Sequence, residues 1–503
     1  MQAAFVTVAS PLSFSPCGFR KRVGVKCCAN APKFNGVSKS DQDIHLDTGG
    51  LSRQCFPHTF AFGASTSAYQ VEGMALEEGR GSSIWDSFVR SSGKIKDKST
   101  ADVTVDQYHH YKEDIDLLRD LNFDSYRFSI SWSRIFPDGT GKVNWKGVDY
   151  YNRLIDYLLE KGITPYVNLH HFDLPEVLEK RYSGWLCKKK EIVKDFADYA
   201  DFCFKLFGDR VKNWFTLNEP RLASIFGYYY GIIAPGRCSK PIGECEEGCS
   251  PTEPYEAAHN MILAHAAAVQ RYRLKYQKKQ QGKIGIVLDC RWYEPFRSPR
   301  NDHEAAKRAI DFEIGWFMHP ISCGEYPKSM IHNVGDRLPS FTEKERDMVR
   351  GSIDYVGINH YYTSYAEDLI ELPPGLPAGY EKDRRVTNGR PWGMYKLLMH
   401  LKDNYGHYPI IVVENGTNDA SDILFPYVLH DKARVDYYKG YVDAVKNAID
   451  NGAKVIGYFA WYGIVHVDLN DQKRYPKLSA YWFQQLPPGR EGEALSHSPN
   501  VSS

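Results

Sequence analysis

The sequence predicts an α/β protein made of one (β/α)8 TIM barrel, and three observations carry that expectation. Short apolar runs alternate with amphipathic stretches of helical period along most of the 503 residues. The alternation completes eight rounds, which suits parallel strands joined by right-handed crossovers and closed into a barrel. Polar side chains of chemical interest then fall at the strand ends, the rim on which barrels carry their sites.

The first strand is Phe60-Ala61-Phe62-Gly63-Ala64, followed by a helix from Tyr111 to Leu121 with Ile115, Leu117 and Leu118 facing inward. Ser125 to Ile130 is the second strand. A helix from Tyr150 to Lys161, stopped by Gly162, leads to the third, Thr164 to Leu169. A helix from Ile192 to Phe207 precedes the fourth strand, Val211 to Leu217, and a long helix from Pro254 to Tyr276 precedes the fifth, Lys283 to Leu288. Tyr355 to Ile358, Ile410 to Val413 and Val455 to Phe459 complete the eight. No short repeat period is present, which argues against a solenoid.

The ends read differently. Residues 1–40 carry six Lys/Arg (Arg20, Lys21, Arg22, Lys26, Lys33 and Lys39), five Ser and no acid. Their charges follow a Ser/Pro-broken apolar stretch instead of preceding an unbroken one, the order of a plastid transit peptide and not of a secretory signal. A disordered tail is the other reading, and a secreted or vacuolar location the other address. The barrel domain is expected over 50–486, and 487–503, rich in Pro, Gly and Ser, as a disordered tail. Sequons occur at Asn415, inside a motif discussed below, and at Asn500 in the tail, which weighs against secretion.

Composition narrows the partners. Lys and Arg number 63 against 62 Asp and Glu, so no charge excess draws the chain to nucleic acid or to an anionic membrane. No apolar run approaches the ~18–20 residues of a spanning helix, so a soluble protein is expected. Aromatic residues at 14% suit sugar-stacking surfaces and large cores equally. Of eleven Cys, Cys55, Cys187, Cys203, Cys290 and Cys323 read as buried small hydrophobes, while Cys238, Cys245 and Cys249 cluster in a Gly/Pro/Ser-rich loop. No His joins that cluster, so a local disulfide, Cys238 to Cys245, is expected there in place of zinc.

The rim is polar and aromatic. Gln70 and Glu72 follow the first strand and Arg127 lies in the second. His170, His171 and Asp173 close the third, and Asn218-Glu219-Pro220 the fourth. Asn359, His360 and Tyr361 close the sixth, Glu414-Asn415 the seventh and Trp461 the eighth. With no Gly-rich phosphate loop or Walker lysine, this set suits a polyhydroxylated ligand better than a phosphate. Glu219 and Glu414 end strands that face each other across the mouth, each beside an Asn. Such a pair serves glycoside hydrolysis, one as acid and one as nucleophile or base, held about 5–5.5 Å apart where configuration is retained. His170 and His360 are read as packing residues.

Six motifs resemble the β-glucosidases of glycoside hydrolase family 1, the plant members in particular. They are Phe62-Gly63-Ala64-Ser65-Thr66-Ser67-Ala68-Tyr69-Gln70-Val71-Glu72-Gly73, Tyr126-Arg127-Phe128-Ser129-Ile130-Ser131-Trp132, His171-Phe172-Asp173-Leu174-Pro175, Thr216-Leu217-Asn218-Glu219-Pro220, Glu414-Asn415-Gly416 and Gly457-Tyr458-Phe459-Ala460-Trp461. The resemblance spans Phe56 to Leu486. It implies a retaining double displacement that releases glucose from a small-molecule plant glucoside, with Glu219 as general acid/base and Glu414 as nucleophile. It also implies that Arg127 and Tyr361 contact the nucleophile, that Gln70, His171 and Asn218 bind the sugar, and that Trp461 lies under the ring. Asn359 is a supporting residue. Neither metal nor organic cofactor is implied, and a homo-oligomer stays open.

The chain departs from the family pattern twice. After Trp461 the family continues Ser-Leu-Leu-Asp-Asn-Phe-Glu-Trp, with a Glu and a Trp that bind the outer hydroxyls of glucose, whereas here Tyr462-Gly463-Ile464-Val465-His466-Val467-Asp468 follows. A Trp-bearing segment is also missing around Asn388-Gly389-Arg390-Pro391-Trp392-Gly393-Met394. The shortened eighth connection is expected to weaken the barrel and displace Trp461, and lost hydroxyl recognition to cost rate. A catalytically impaired splice form, a glycoside-binding pseudoenzyme and a transglucosidase are the competing readings. Ile225, Phe226, Tyr228 and Tyr229 are expected to line the aglycone side.

Overall fold

The structure, a computed structural model, describes residues 46–486 except 92, 96–97, 298–299, 369–376, 390–392, 419–424 and 462, and the side chains of 387–389. The expected leader at 1–40, the tail at 487–503 and Trp392 lie outside the described residues.

Eight parallel strands close a barrel in chain order: β1 (Ala61–Ser65), β2 (Ser125–Ser129), β3 (Thr164–Asn168), β4 (Asn213–Asn218), β5 (Lys283–Asp289), β6 (Tyr355–Asn359), β7 (Ile410–Asn415) and β8 (Val455–Ala460). The ring shuts where β1 pairs β8, from Ala61 opposite Gly457 to Ala64 opposite Ala460. Each strand is nearly all buried, as strands covered on both faces must be. Helices wrap the outside through apolar stripes. The Trp145–Glu160 helix buries Val148, Tyr151, Leu154, Ile155 and Leu158, and is followed by Gly162 in the left-handed region at φ +74°. Glu253–Tyr272 starts with Pro254 in its first turn, where a missing N–H costs nothing.

The barrel interior is filled by Tyr166, Phe215, Val287, Tyr355, Ile411, Val413 and Phe459. Tyr166 meets Phe459 and Phe215 meets Tyr355 edge to face at 5.0 Å, a favoured geometry for aromatic pairs. This plug is the floor of the site: the Arg127 guanidinium lies 5.9 Å above the Phe215 ring. Chemistry is therefore confined to the C-terminal rim.

Several features differ from expectation. Trp292–Pro295, Thr363–Asp368 and Val386–Gly389 form a separate three-stranded sheet beside the barrel, and Val465–Val467 pairs Arg474–Pro476 as a hairpin. Cys187, Cys203 and Cys290 are buried, but Cys55 is half-buried and Cys323, the last residue of its helix, is exposed. Cys238 and Cys245, by contrast, are joined as expected, with Cα atoms 5.2 Å apart. The short eighth connection does not open the barrel, and Trp461 is held at the β8 exit. Its N–H donates to the Asn415 carbonyl at 2.9 Å and its ring lies 6.0 Å from His171 at an 18° tilt. Asn415, His171 and Tyr438, whose hydroxyl donates to the Trp461 carbonyl at 2.9 Å, all precede the gap in sequence.

Candidate active site

The β4 exit is a tight corner. Asn218 ends the strand, Pro220 begins the Pro220–Tyr228 helix, and Glu219 between them takes φ +43°, ψ +55°. A non-glycine residue in that region costs about 1–3 kcal/mol and persists where surroundings impose it. Here the Glu219 N–H is fixed on the Val287 carbonyl of β5 at 2.9 Å. Its carboxyl is buried and accepts from Asn359 Nδ2 at 2.7 Å.

The β7 exit holds the second carboxylate. Glu414 Oε1 accepts from an Arg127 terminal nitrogen at 2.6 Å, and the Tyr361 hydroxyl donates to Oε2. Two donors on two oxygens suit a group acting purely as acceptor. Gly416 is required here for space: a Cβ at that position would lie 1.7 Å from the Trp461 carbonyl oxygen. The Glu-Asn-Gly run is thus the sequence trace of β7 and β8 touching as they leave the barrel.

One hydrogen-bonded chain joins the two carboxyls. The other terminal nitrogen of Arg127 donates to Asn218 Oδ1 at 2.7 Å, Asn359 Nδ2 donates to that same oxygen at 3.2 Å, and Asn359 reaches Glu219. Asn218 Nδ2 also lies 3.3 Å from His171 Nε2. Burial, followed by the charges of Glu414 and Asp289, pushes the Glu219 carboxyl well above the usual carboxylate range, and the Asn359 bond and Arg127 offset only part of this. Burial and then the Arg127 charge hold His171 well below the ordinary imidazole range, so it is neutral at pH 7. Burial raises Asp173 to about 6.

Sequence reasoning thus brings Arg127, His171, Asn218, Glu219, Asn359, Tyr361, Glu414 and Trp461 into one cluster. Gln70 sits on the short Ala68–Val71 helix, where its Oε1 accepts from the Ser67 hydroxyl. His170 and His360 are packing residues as expected, brought by burial to about 3 and about 4. Tyr228 and Tyr229, expected on the aglycone side, are each 1% exposed. They are buried in the core with Ile225, at the end of the Pro220–Tyr228 helix and just past it, and Phe226 is half-buried. Among the described residues no group of three His, Cys, Asp or Glu is placed to hold a metal.

Two groups of residues went unread. Behind Glu219, Arg221 pairs with Asp289 and lies 3.7 Å from Glu313, to which Arg291 and Tyr293 also donate. Burial would raise Glu313, but Arg221 and Arg291 hold it down to about 2. Asp289 ends β5, a strand whose polar terminus was the available signal. The second group lies on the Lys432–Asp450 helix, where Arg434, Tyr437, Tyr438 and Tyr441 recur at helical spacing.

The chain has close relatives. The chain is 55% identical over 483 residues to Beta-glucosidase 44 of Arabidopsis thaliana, covering 89% of this chain and 94% of that protein. It is 52% identical over 484 residues to Beta-glucosidase 1 of Oryza sativa subsp. japonica, covering 90% and 93%. A rice β-glucosidase crystal structure superposes with a TM-score of 0.84 at 44% identity, over 87% of this chain and 99% of that one. A mutant of the same rice enzyme, in a covalent complex with Glc from GA4GE, matches with a TM-score of 0.84 at 45% identity, over 87% and 99%. The profile of glycosyl hydrolase family 1 matches residues 52–491. With a closed eight-stranded barrel, a glutamate at the ends of β4 and β7, and a family match over most of its length, the chain belongs to glycosyl hydrolase family 1.

Proposed function

We propose that the chain is a retaining β-glucosidase that hydrolyses terminal β-D-glucosyl residues of plant glucosides, with Glu414 as nucleophile and Glu219 as general acid/base. The observation that carries this reading is the unlike partnering of two buried glutamates. Glu414 faces a guanidinium and a phenol, whereas Glu219 is desolvated and held by a neutral amide. An anion is stabilised at the first position and a proton retained at the second, the division that double displacement needs.

In the first step a Glu414 oxygen bonds to the anomeric carbon as the bond from that carbon to the aglycone oxygen breaks, and the Glu219 proton passes to the departing oxygen. In the second step water attacks the same carbon, Glu219 takes its proton, Glu414 leaves, and glucose departs with its configuration retained. Arg127 and Asn218 keep the two carboxyls in fixed relation, and Trp461 with neutral His171 supplies a flat wall for the sugar. A non-catalytic role is not favoured, since both carboxylates and their partners are in place despite the short eighth connection.

The basic, acid-free leader supports a plastid as the compartment; a fluorescent fusion of residues 1–50 that stays outside plastids would overturn that. The catalytic reading is tested by a 2-deoxy-2-fluoro-glucoside that traps the glucosyl-enzyme, read by intact mass and peptide mapping. One adduct per chain on Glu414 is expected. Folded, monodisperse protein that takes no adduct would contradict hydrolysis by this chain.

A further inference from the structure

The two strand ends that bear Glu414 and Trp461, and the neighbouring one that bears Tyr361, share a support outside the barrel. The Lys432–Asp450 helix presents four polar side chains on one face, at positions i, i+3, i+4 and i+7. Each reaches a main-chain carbonyl of the rim. Arg434 donates from Nε and one terminal nitrogen to the Thr417 carbonyl, at 3.0 Å each, and from its other terminal nitrogen to the Gly463 carbonyl at 3.0 Å. The Tyr437 hydroxyl donates to the Tyr361 carbonyl at 2.8 Å and accepts from Asn415 Nδ2 at 2.9 Å. Tyr438 donates to the Trp461 carbonyl at 2.9 Å, and Tyr441 to the Tyr361 carbonyl at 3.0 Å.

The donors are themselves braced. Arg434, Tyr438 and Tyr441 are buried, and the Tyr437 and Tyr441 rings stack at 4.2 Å. Arg434 pairs with Asp431, which also accepts from the Ser479 N–H at 2.9 Å and hydroxyl at 2.6 Å. A helix is a stiff body, and a donor on it that meets a carbonyl fixes backbone position whatever side chain that residue carries. The Thr417 and Gly463 carbonyls follow Glu414 and Trp461 by three and two residues. One guanidinium therefore ties the exits of β7 and β8 together beside the short connection.

We propose that Arg434, Tyr437, Tyr438 and Tyr441 are positioning residues for glucoside cleavage, setting Tyr361 against Glu414 and Trp461 against the sugar. The inference rests on the reading of Glu414 as nucleophile and Trp461 as sugar wall. It predicts different defects from different hydroxyls on one helix. Tyr438→Phe frees the Trp461 carbonyl and leaves both bonds to the Tyr361 carbonyl in place, so KM for a glucoside rises about threefold to tenfold, the scale of one hydrogen bond, with kcat nearly unchanged. Tyr437→Phe with Tyr441→Phe frees the Tyr361 carbonyl and removes one acceptor from Asn415 Nδ2, which keeps its bond to the His360 carbonyl, so kcat and the trapping rate at Glu414 fall by about tenfold or more with KM little changed.

The experiment is steady-state kinetics on these two variants and the parent, with active sites counted by the fluoro-glucoside adduct so that misfolded molecules drop out. The split between KM and kcat supports the proposal. Equal effects on both parameters in both variants, or lower melting temperatures with unchanged kinetics per labelled site, would overturn it. Arg434→Lys keeps the charge facing Asp431 but cannot span two carbonyls. It should show both defects together, and parent-like constants in that variant would equally overturn the proposal. Absence of an adduct in the parent would instead contradict the Glu414 assignment, which separates the two failures.

Discussion

Glu219 and Glu414 are the same residue type on the same rim, both buried, yet their surroundings divide them. Glu414 sits near the end of β7, where the pairing register shifts on both sides, and takes an ion pair from Arg127 and a bond from Tyr361. Glu219 sits in a strained left-handed corner and takes one bond from Asn359, while the acids Glu414 and Asp289 oppose its ionisation. The difference teaches that function here is assigned by donors, not by the carboxyl group itself. Burial raises the cost of charge on Glu219, and its one amide partner with the more distant Arg127 offsets only part of it, whereas Glu414 meets a guanidinium and a phenol directly.

The largest effect should come from Glu414→Gln, which removes the attacking oxygen. Loss of a nucleophile that acts in concert with its partners lowers kcat by about 10⁶, and product appearance in long incubations checks this. Glu219→Gln should be more forgiving and, unlike Glu414→Gln, should depend on the leaving group. Loss of general acid help costs about 10²–10⁴ with alkyl glucosides and far less with nitrophenyl glucosides, whose leaving oxygen needs no proton. A loss independent of leaving group would break the comparison.

Tyr361→Phe should lower kcat/KM about tenfold to a hundredfold, since a hydrogen bond to a charged group contributes about 1.5–3 kcal/mol. The smallest effect is on stability. The folded-state pKa of Glu219 lies above its unfolded one, so its contribution is fully present below the unfolded carboxyl range and is lost as pH rises through the folded value. Glu219→Gln mimics the protonated form permanently. The variant should melt above the parent at pH 7–8, with the gap closing toward pH 4, by about 1.4 kcal/mol for each unit between the two pKa values. A gap that widened at low pH would reverse the assignment.

Much of this was legible in the sequence because barrels write themselves in local periodicity. All eight strands were readable within a residue or two, as with Thr164–Asn168 and Ile410–Asn415, and the rim glutamates followed from strand ends. What escaped was non-local. The sheet joining Trp292–Pro295 to Thr363–Asp368 pairs segments some seventy residues apart, and no single stretch announces it. Tyr228 and Tyr229 resembled pocket aromatics, but they are packed into the core at the end of the Pro220–Tyr228 helix. The eighth connection is the opposite case: its missing block is conspicuous in sequence, whereas two groups that hold Trp461, on Asn415 and Tyr438, lie elsewhere.

The most direct test of the division between the two glutamates is the anomeric configuration of the product when azide replaces the lost carboxylate. With Glu414→Gly, azide should attack the sugar directly from the vacated face and give the α-glucosyl azide by one inversion. With Glu219→Gly, azide should attack the glucosyl-enzyme on Glu414 and give the β-glucosyl azide by two. The account predicts α from the first variant and β from the second; the opposite pattern, or the same anomer from both, would contradict it.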